Sequence, residues 1–286
     1  FKPLPFLDRL RFGIVTLWLG RVNDWRKYEE IPAYEWVLKH YGKNVTKVIW
    51  EPLLRSKFGE DFDKVAMAWL WARIHTRASS REKGGASEKL GYYKGGFDVL
   101  CRRLAEAVKE QGGQIHLQTP IEKILVEDGK FQGLEVKGQK LPFDRLVFTA
   151  ATPVFLKACP GLPSDYVARL TTLKFMAAQC LVFVMNRKFT ERIYWMNITD
   201  RDIPFLAVVE HTNYVPAECY GGKRLLYIGN YLPKEHRLFS LDKEALIREF
   251  LPHLRKINPE FDLSWIEESI LSRDTYAQPV VPLRYS

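Results

Sequence analysis

The sequence holds no G-x-G-x-x-G turn after a strand, no Walker loop and no G-x-S-x-G. A self-contained dinucleotide fold, an ATP cradle and a serine-hydrolase elbow are therefore not encoded in these 286 residues. Its cysteines are few, and Cys101, Cys159, Cys180 and Cys219 form no C-x-x-C pair. Cys101 lies in a helical pattern and Cys180 in an apolar run, so both read as small buried hydrophobes, which favours a reducing, cytoplasmic setting. The histidines never fall at ligand spacing and no carboxylate cluster accompanies them, which speaks against a metal site. There is no signal peptide, and the longest smooth apolar run, "FGIVTLWLG", is too short to cross a bilayer. The net charge is +9, yet no Lys/Arg run resembles a nucleic-acid arm and 34 acids are interleaved with the bases. The excess suits a polyanionic cofactor or substrate, or an acidic bilayer surface, better than nucleic acid. The chain opens at Phe1 and stops at "PVVPLRYS", and it reads like an excised piece.

Aromatic side chains are plentiful: eight Trp, thirteen Tyr and seventeen Phe, enough to wall a pocket with rings as well as to fill a core. Residues 4–22, "LPFLDRLRFGIVTLWLGRV", repeat apolar side chains at helical spacing and predict a helix buried on most sides, with a membrane-surface helix as the alternative. Three more helices are expected in "IPAYEWVLKHYG", in "NVTKVIWEPLLRSKFG" with Asn44 as cap and Pro52 as a kink, and in "DFDKVAMAWLWARIHTR". The polar tract 78–89 reads as a loop, and residues 97–111 as a helix closed by Gly112-Gly113. A strand at "QIHLQT", a β-meander ending in the strand "RLVFTA", and a short helix at "TPVFLKAC" follow. Strands then come at "FMAAQCLVFVMNR", "YWMNIT", "FLAVVEHTN" and "RLLYIGNYL", with a helix over 242–256 begun by Asp242 and a last strand near 265–272. Helices first, mixed elements next and sheet last make an α+β pattern, not a regular βαβ alternation.

Gly95 and Gly96 stand just before the helix in "GYYKGGFDVLCRRLAEAVKEQGGQIHLQT". Glycines there either admit an anion to the helix N-terminus or simply turn the chain, and spacing alone leaves both open. The whole run "GYYKGGFDVLCRRLAEAVKEQGGQIHLQTPIEKI", followed by "GLEVKG" and "FDRLVFTAATP", resembles the interior of the flavin-containing amine oxidase, protoporphyrinogen oxidase and phytoene desaturase-like superfamily of FAD-dependent oxidoreductases. "WEPLLRSKFGEDFDKVAMAWLWARI", "VVEHTNYVP" and "DTYAQPVVPLRY" carry the resemblance over the rest of the chain. It implies an α+β substrate domain, a mixed sheet with a helical cluster, interrupted by a helix, strand and meander of an FAD-binding domain. The expected divisions are 1–92 and 156–286 for the substrate domain and 93–155 for the FAD-domain segment. The family's N-terminal G-x-G-x-x-G and its flavin-covering C-terminal segment have no counterpart here, so weak FAD binding by this chain alone is expected.

The resemblance also assigns roles. Gly95 and Gly96 fall at the domain junction near the cofactor, Ile121 matches the position whose backbone pairs with adenine, and Thr149, Ala150 and Ala151 match the small-residue strand end beside FAD; plain core packing is the alternative for the last three. In the family a hydride passes from a substrate C–H bond to flavin, while the protein positions the two and excludes water. Candidate substrate-pocket residues are His211, Asn213 and Tyr227 from the sheet and Arg73 from the fourth helix; no catalytic residue is assigned. Each has a structural alternative: a satisfied histidine for His211, a solvated or ion-paired cation for Arg73. Other readings are a basic membrane-surface or partner-binding module, and a nucleotide-sugar mutase-like flavoenzyme in which Arg73 and Arg77 would grip a diphosphate. The expected partner is a small, hydrophobic organic substrate, with peripheral membrane contact through residues 4–22.

Overall fold

In the computed structural model, which describes residues 3–79 and 91–285, ten helices and eight strands follow one another among the described residues. The first helices are α1 (Phe6–Gly20), α2 (Ala33–Tyr41), α3 (Lys43–Val45), α4 (Glu51–Phe58) and α5 (Met67–Ser79). Then come α6 (Asp98–Glu110) and the strands β1 (Lys123–Glu127), β2 (Lys130–Val136) and β3 (Gln139–Pro142). Helices α7 (Thr152–Ala158) and α8 (Ser164–Thr171) precede β4 (Phe175–Met185), β5 (Trp195–Asn197), β6 (Ala207–Glu210) and β7 (Arg224–Leu232). Last are α9 (Arg237–Ser240), α10 (Lys243–Ile257) and β8 (Ile266–Pro279). Contacts divide the chain into two compact units, residues 1–91 with 175–286, and residues 92–174. The second unit runs past the expected boundary at 155 and includes α8.

The first unit has two cores. Helices α1 to α5 enclose Leu19, Trp36, Val37, Tyr41, Trp50, Leu54, Phe58 and Leu70. Arg11 of α1 donates to the carbonyls of Lys39 and His40, satisfying the end of α2 where Gly42 turns away at φ +86°. The sheet has the order β5-β6-β7-β4-β8, and where a mixed sheet is read from the sequence every pair is antiparallel. Along β4 alternate residues point to opposite faces. Leu181, Phe183 and Met185, with Leu226, Ile228 and Val208, meet Leu246, Phe250 and Leu254 of α10 in the second core. Asp242 caps α10 by accepting from the Ala245 amide, as its place in the sequence indicates.

Several expectations are corrected. Helix α1 is packed on one side only, through Phe12, Val15 and Leu19; Phe6, Leu7, Leu10, Ile14, Leu17 and Trp18 are exposed. Its apolar side chains fall on two sides, Phe12, Val15 and Leu19 on one and Leu7, Leu10, Ile14 and Leu17 on the other, so the period could not say which side is covered. Asn44 is not a cap: it lies within α3 and its amide donates to Asp8, while Gly42 precedes the helix. The proline kink appears as one π turn, Thr46–Trp50, that lets Pro52 sit in the first turn of α4. The fourth helix starts at Met67, six residues later than read, because 59–66 form turns that bury Phe62 and Val65. The tract 78–89 lies outside the described residues from Ser80 on, and Ala78 and Ser79 end α5.

In the second unit β1, β2 and β3 form the expected meander, antiparallel throughout. Its core is small: Ile124, Ala158 and Cys159, with Phe131, Leu134, Phe148 and Phe155 against them. The expected strands "QIHLQT" and "RLVFTA" are irregular, the first bending at Leu117–Gln118 where Gln118 takes φ +52°, and neither pairs with a neighbour among the described residues. Their side chains show it: Leu117 is 82% exposed and Val147 86%. The predicted apolar side of α6, Leu100, Leu104 and Val108, is likewise exposed, and so is Cys101 on the same helix, which corrects its reading as a buried hydrophobe.

Candidate functional site

Opposite the α10 face of the large sheet, the strand registers line up a row of small residues. Cys180 pairs with Gly229, Gly229 with Ala207, and Ala207 with Asn197. On one side runs the row Tyr227, Val209, Trp195; on the other, Ala178 and Tyr231. Cys180, Gly229 and Ala207 offer little or no side chain, and between Tyr227 and Trp195 on one side and Tyr231 on the other they leave a trough that Leu53, Ser56 and Lys57 of α4 line from the helical cluster. The cavity measures about 380 Å³, within the usual range for a small-molecule site. A larger cleft of about 590 Å³ adjoins it at Ser56 and Leu206. Its acidic centre is already answered: Glu51 accepts from Arg55 at 3.0 Å, Arg201 at 3.3 Å and Tyr34 at 3.2 Å. The Arg55 hydrogen bond foremost holds the Glu51 carboxyl below its ordinary value. The trough, with polar groups left over, is the stronger candidate.

Two of the four residues expected in the substrate pocket meet there. Tyr227 forms a wall, and His211, just past β6, lines one end. The His211 ring is buried, its Nε2 lies 2.7 Å from the Tyr220 hydroxyl, and it stands edge-on to Tyr227. Burial pushes its pKa down, so the neutral imidazole is favoured. Asn213 is elsewhere: its amide donates to the Thr190 carbonyl and hydroxyl and to the Ile193 carbonyl, pinning the loop before β5. Glu210 holds the same loop, accepting from the amides of Phe189 and Thr190. Arg73 lies over the Trp69 ring at 5.1 Å, and neither it nor Arg77 lines the trough.

Lys57, Trp195, Gly229 and Tyr231 were missed by the sequence reading. A signal existed, because "RLLYIGNYL" sets Tyr227, Gly229 and Tyr231 on one face by strand alternation, ring, gap, ring. Lys57 Nζ sits 4.4 Å from the Tyr231 ring centroid, and burial first, then the Arg73 charge, lower its pKa. Asn197 accepts from the Trp195 indole N–H at 2.9 Å, which fixes its carbonyl and leaves its NH₂ directed elsewhere. Burial pushes the Cys180 thiol up, so the floor is uncharged.

The expected cofactor residues all lie in the second unit. Gly95 and Gly96 adopt φ +90° and +91°, and the Gly96 amide is used by the Tyr93 carbonyl, so the pair turns the chain into α6. Asp98 occupies the first turn of α6, ion-paired with Arg102, where an incoming phosphate would meet negative charge. The backbone N–H and C=O of Ile121 take no hydrogen bond among the described residues, which fits pairing with the edge of a planar base. Thr149 and Ala150 are exposed, and Ala151 caps α7 through its carbonyl, which accepts from Val154 and Phe155. Among the described residues these segments show no phosphate cradle.

Comparison with known proteins gives the geometry a lineage. The chain is 32% identical over 165 residues to a 4,4'-diapophytoene desaturase (4,4'-diapolycopene-forming) of Methylomonas sp, covering 54% of this chain and 30% of that protein. Its fold matches a provisionally assigned protoporphyrinogen oxidase from Exiguobacterium sp. 255-15, with a TM-score of 0.71 at 18% identity, over 99% of this chain and 63% of that one. It also matches a reduced UDP-galactopyranose mutase, with a TM-score of 0.68 at 13% identity, over 98% of this chain and 63% of the other. The chain thus spans under a third of the curated relative and under two thirds of these solved structures. The sequence pattern of one family runs through residues 2–278, nearly the whole length, and the chain belongs to that family, the flavin containing amine oxidoreductases.

Proposed function

We propose that this chain forms the substrate-binding part, and a share of the cofactor-binding part, of an FAD-dependent oxidoreductase that takes a hydride from a C–H bond of an organic substrate. The trough carries this reading: a ring-walled cavity of about 380 Å³, floored by Cys180, Ala207 and Gly229, in a chain of this family. Bound flavin supplies the hydride acceptor. The chain's own residues hold the substrate: Tyr227, Tyr231 and Trp195 grip a flat or apolar body and displace water from it, while small floor residues let it lie close to the sheet. In the second unit Ile121 and residues 149–151 hold one end of the FAD. The exposed apolar side chains of the unpaired segments around Leu117 and Val147 support a domain completed by further strands of a longer polypeptide.

The test uses the full parent enzyme with its flavin. A Cβ on Gly229 would meet nothing within 4 Å, so Gly229→Val directs its branched side chain into open space and fills the floor of the trough. Anaerobic flavin bleaching by an active substrate is expected to slow at least about tenfold in this variant, mostly through KM. Unchanged bleaching places the substrate elsewhere. FAD titrated into this chain alone is expected to bind weakly. Losing two or three charge-assisted bonds to the pyrophosphate, at about 1.5–3 kcal/mol each, removes about 3–9 kcal/mol. Stoichiometric yellow binding by the chain refutes this partition.

A second, compatible reading comes from α1. Leu7, Leu10, Ile14 and Leu17 form one exposed stripe, with Arg9 and Arg21 beside it, as in a helix lying on an anionic bilayer. No helix of the described residues is long and apolar enough to cross a membrane. Sedimentation with phosphatidylserine vesicles, lost in the Leu10→Asp/Ile14→Asp variant, is the expected result; equal sedimentation of the two proteins removes the reading.

A further inference from the structure

The trough holds one charge and nothing of opposite sign. No Asp or Glu lines it, and among the described residues no carboxylate pairs with Lys57. The ammonium group is half-buried against the face of Tyr231, and its charged neighbour Arg73 is also a cation. The remaining titratable groups at the cavity are the neutral His211, the Cys180 thiol and two phenols. A cation held in an apolar wall without a counter-ion is poorly solvated and gains most from an anion brought to it. An amine substrate would be received badly: it would meet the Lys57 ammonium, with the Arg73 charge behind it, and the ring face of Tyr231 that could attract it already carries a cation.

Resting on the reading of the trough as the substrate site, the geometry points to a ligand with a carboxylate at one end of a flat, apolar body. The carboxylate pairs with Lys57 Nζ, and the body lies along Cys180, Gly229 and Ala207 between Tyr227 and Tyr231. Lysine suits this as a point charge that swings on its stem, so it places one oxygen without demanding a two-point fit. This family's name speaks of amines; this chain's trough is built to turn them away.

Three probes with one ring system decide the matter: 2-naphthylacetate, 2-naphthylacetamide and 2-(2-naphthyl)ethylamine, titrated calorimetrically into the chain. The carboxylate is expected to bind about tenfold or more tighter than the amide, and the amine weakest, with the gap narrowing as salt rises. Lys57→Met is expected to abolish the order while keeping amide binding, and Lys57→Arg to retain it. Equal affinity of carboxylate and amide in the wild type, or an amine that binds tightest, overturns the charge proposal and leaves the trough standing as a ligand site. Carboxylate binding that persists in Gly229→Val belongs to surface bases and overturns it as well. Failure of all three probes to bind removes the trough reading and the proposal with it. A thermal melt of each variant guards against misfolding.

Discussion

Glu210 offers the sharpest test of how the site is held. It is 1% exposed, at the end of β6, and its Oε1 accepts from the Phe189 amide at 3.1 Å while Oε2 accepts from the Thr190 amide. The Thr190 hydroxyl, with one proton, has Glu210 Oε2 at 2.8 Å and the Ile193 carbonyl at 2.9 Å as alternative acceptors. Glu210→Ala strands two amide donors in a dry place, at about 1–3 kcal/mol each, for a loss of about 2–6 kcal/mol. Release of a buried charge offsets part of it. All eight tryptophans lie in the first unit, so their fluorescence in a urea titration reports that unit alone. The pH dependence fixes the sign. Burial foremost raises the Glu210 pKa above 4.5, against the lowering effect of its hydrogen bonds, so the folded chain binds the proton more tightly than the unfolded chain. The stability from this ionisation is fully present below about pH 4.5 and is lost as pH rises through the raised value. The gap between wild type and Glu210→Ala should therefore widen in acid. A loss below about 1 kcal/mol at pH 7, or a gap that narrows in acid, refutes the account.

Other outcomes follow from the same coordinates. A Cβ on Gly133, at φ +153°, would stand 2.1 Å from the Leu141 carbonyl oxygen across the β2–β3 ladder. Gly133→Ala is expected to cost about 1–3 kcal/mol and to speed amide exchange in 139–142, with the tryptophan signal unmoved. The His211 ring should titrate below 6.5 by NMR, since burial lowers its pKa. Because the folded state disfavours that proton, this group's stability is present above about pH 6.5 and falls away as the solution is acidified through the lowered value; a midpoint above 6.5 contradicts the packing described.

How far the sequence could be read depended on whether a signal was local. Strand β7 and helix α10 lie where alternation and an Asp cap put them, because each is fixed by its own residues. The segments around Leu117 and Val147 carry the alternation of strands, yet pairing is a property of two chain segments, and no partner runs beside them among the described residues. The same limit explains α1, which carries apolar side chains on two sides and is covered on one. It also explains Asn213, a polar residue beside a candidate site that spends its amide on a loop 20 to 23 positions away.

The trough depends on registers that no single segment reveals. Gly229 is opposite Cys180 on one side and Ala207 on the other because β7 pairs antiparallel with both neighbours. A slip of one residue at either pair would turn the small row toward α10 and bring Ile228 and Leu181 to the cavity. The second core guards against that slip: Leu181, Phe183, Leu226 and Ile228 are each no more than 1% exposed against α10. Burial on one face thus sets the shape of the other. Lys57, reaching in from α4 on the far side of the trough, can meet a bound head group only while that register holds. A cavity-forming change beneath the floor, such as Phe250→Ala, should accordingly weaken probe binding without touching a trough residue. Large-to-small changes of this kind cost about 3–5 kcal/mol, so the effect is read at low temperature, where the variant is still folded. Undiminished binding by a folded Phe250→Ala variant would show that the trough keeps its shape without the core beneath it.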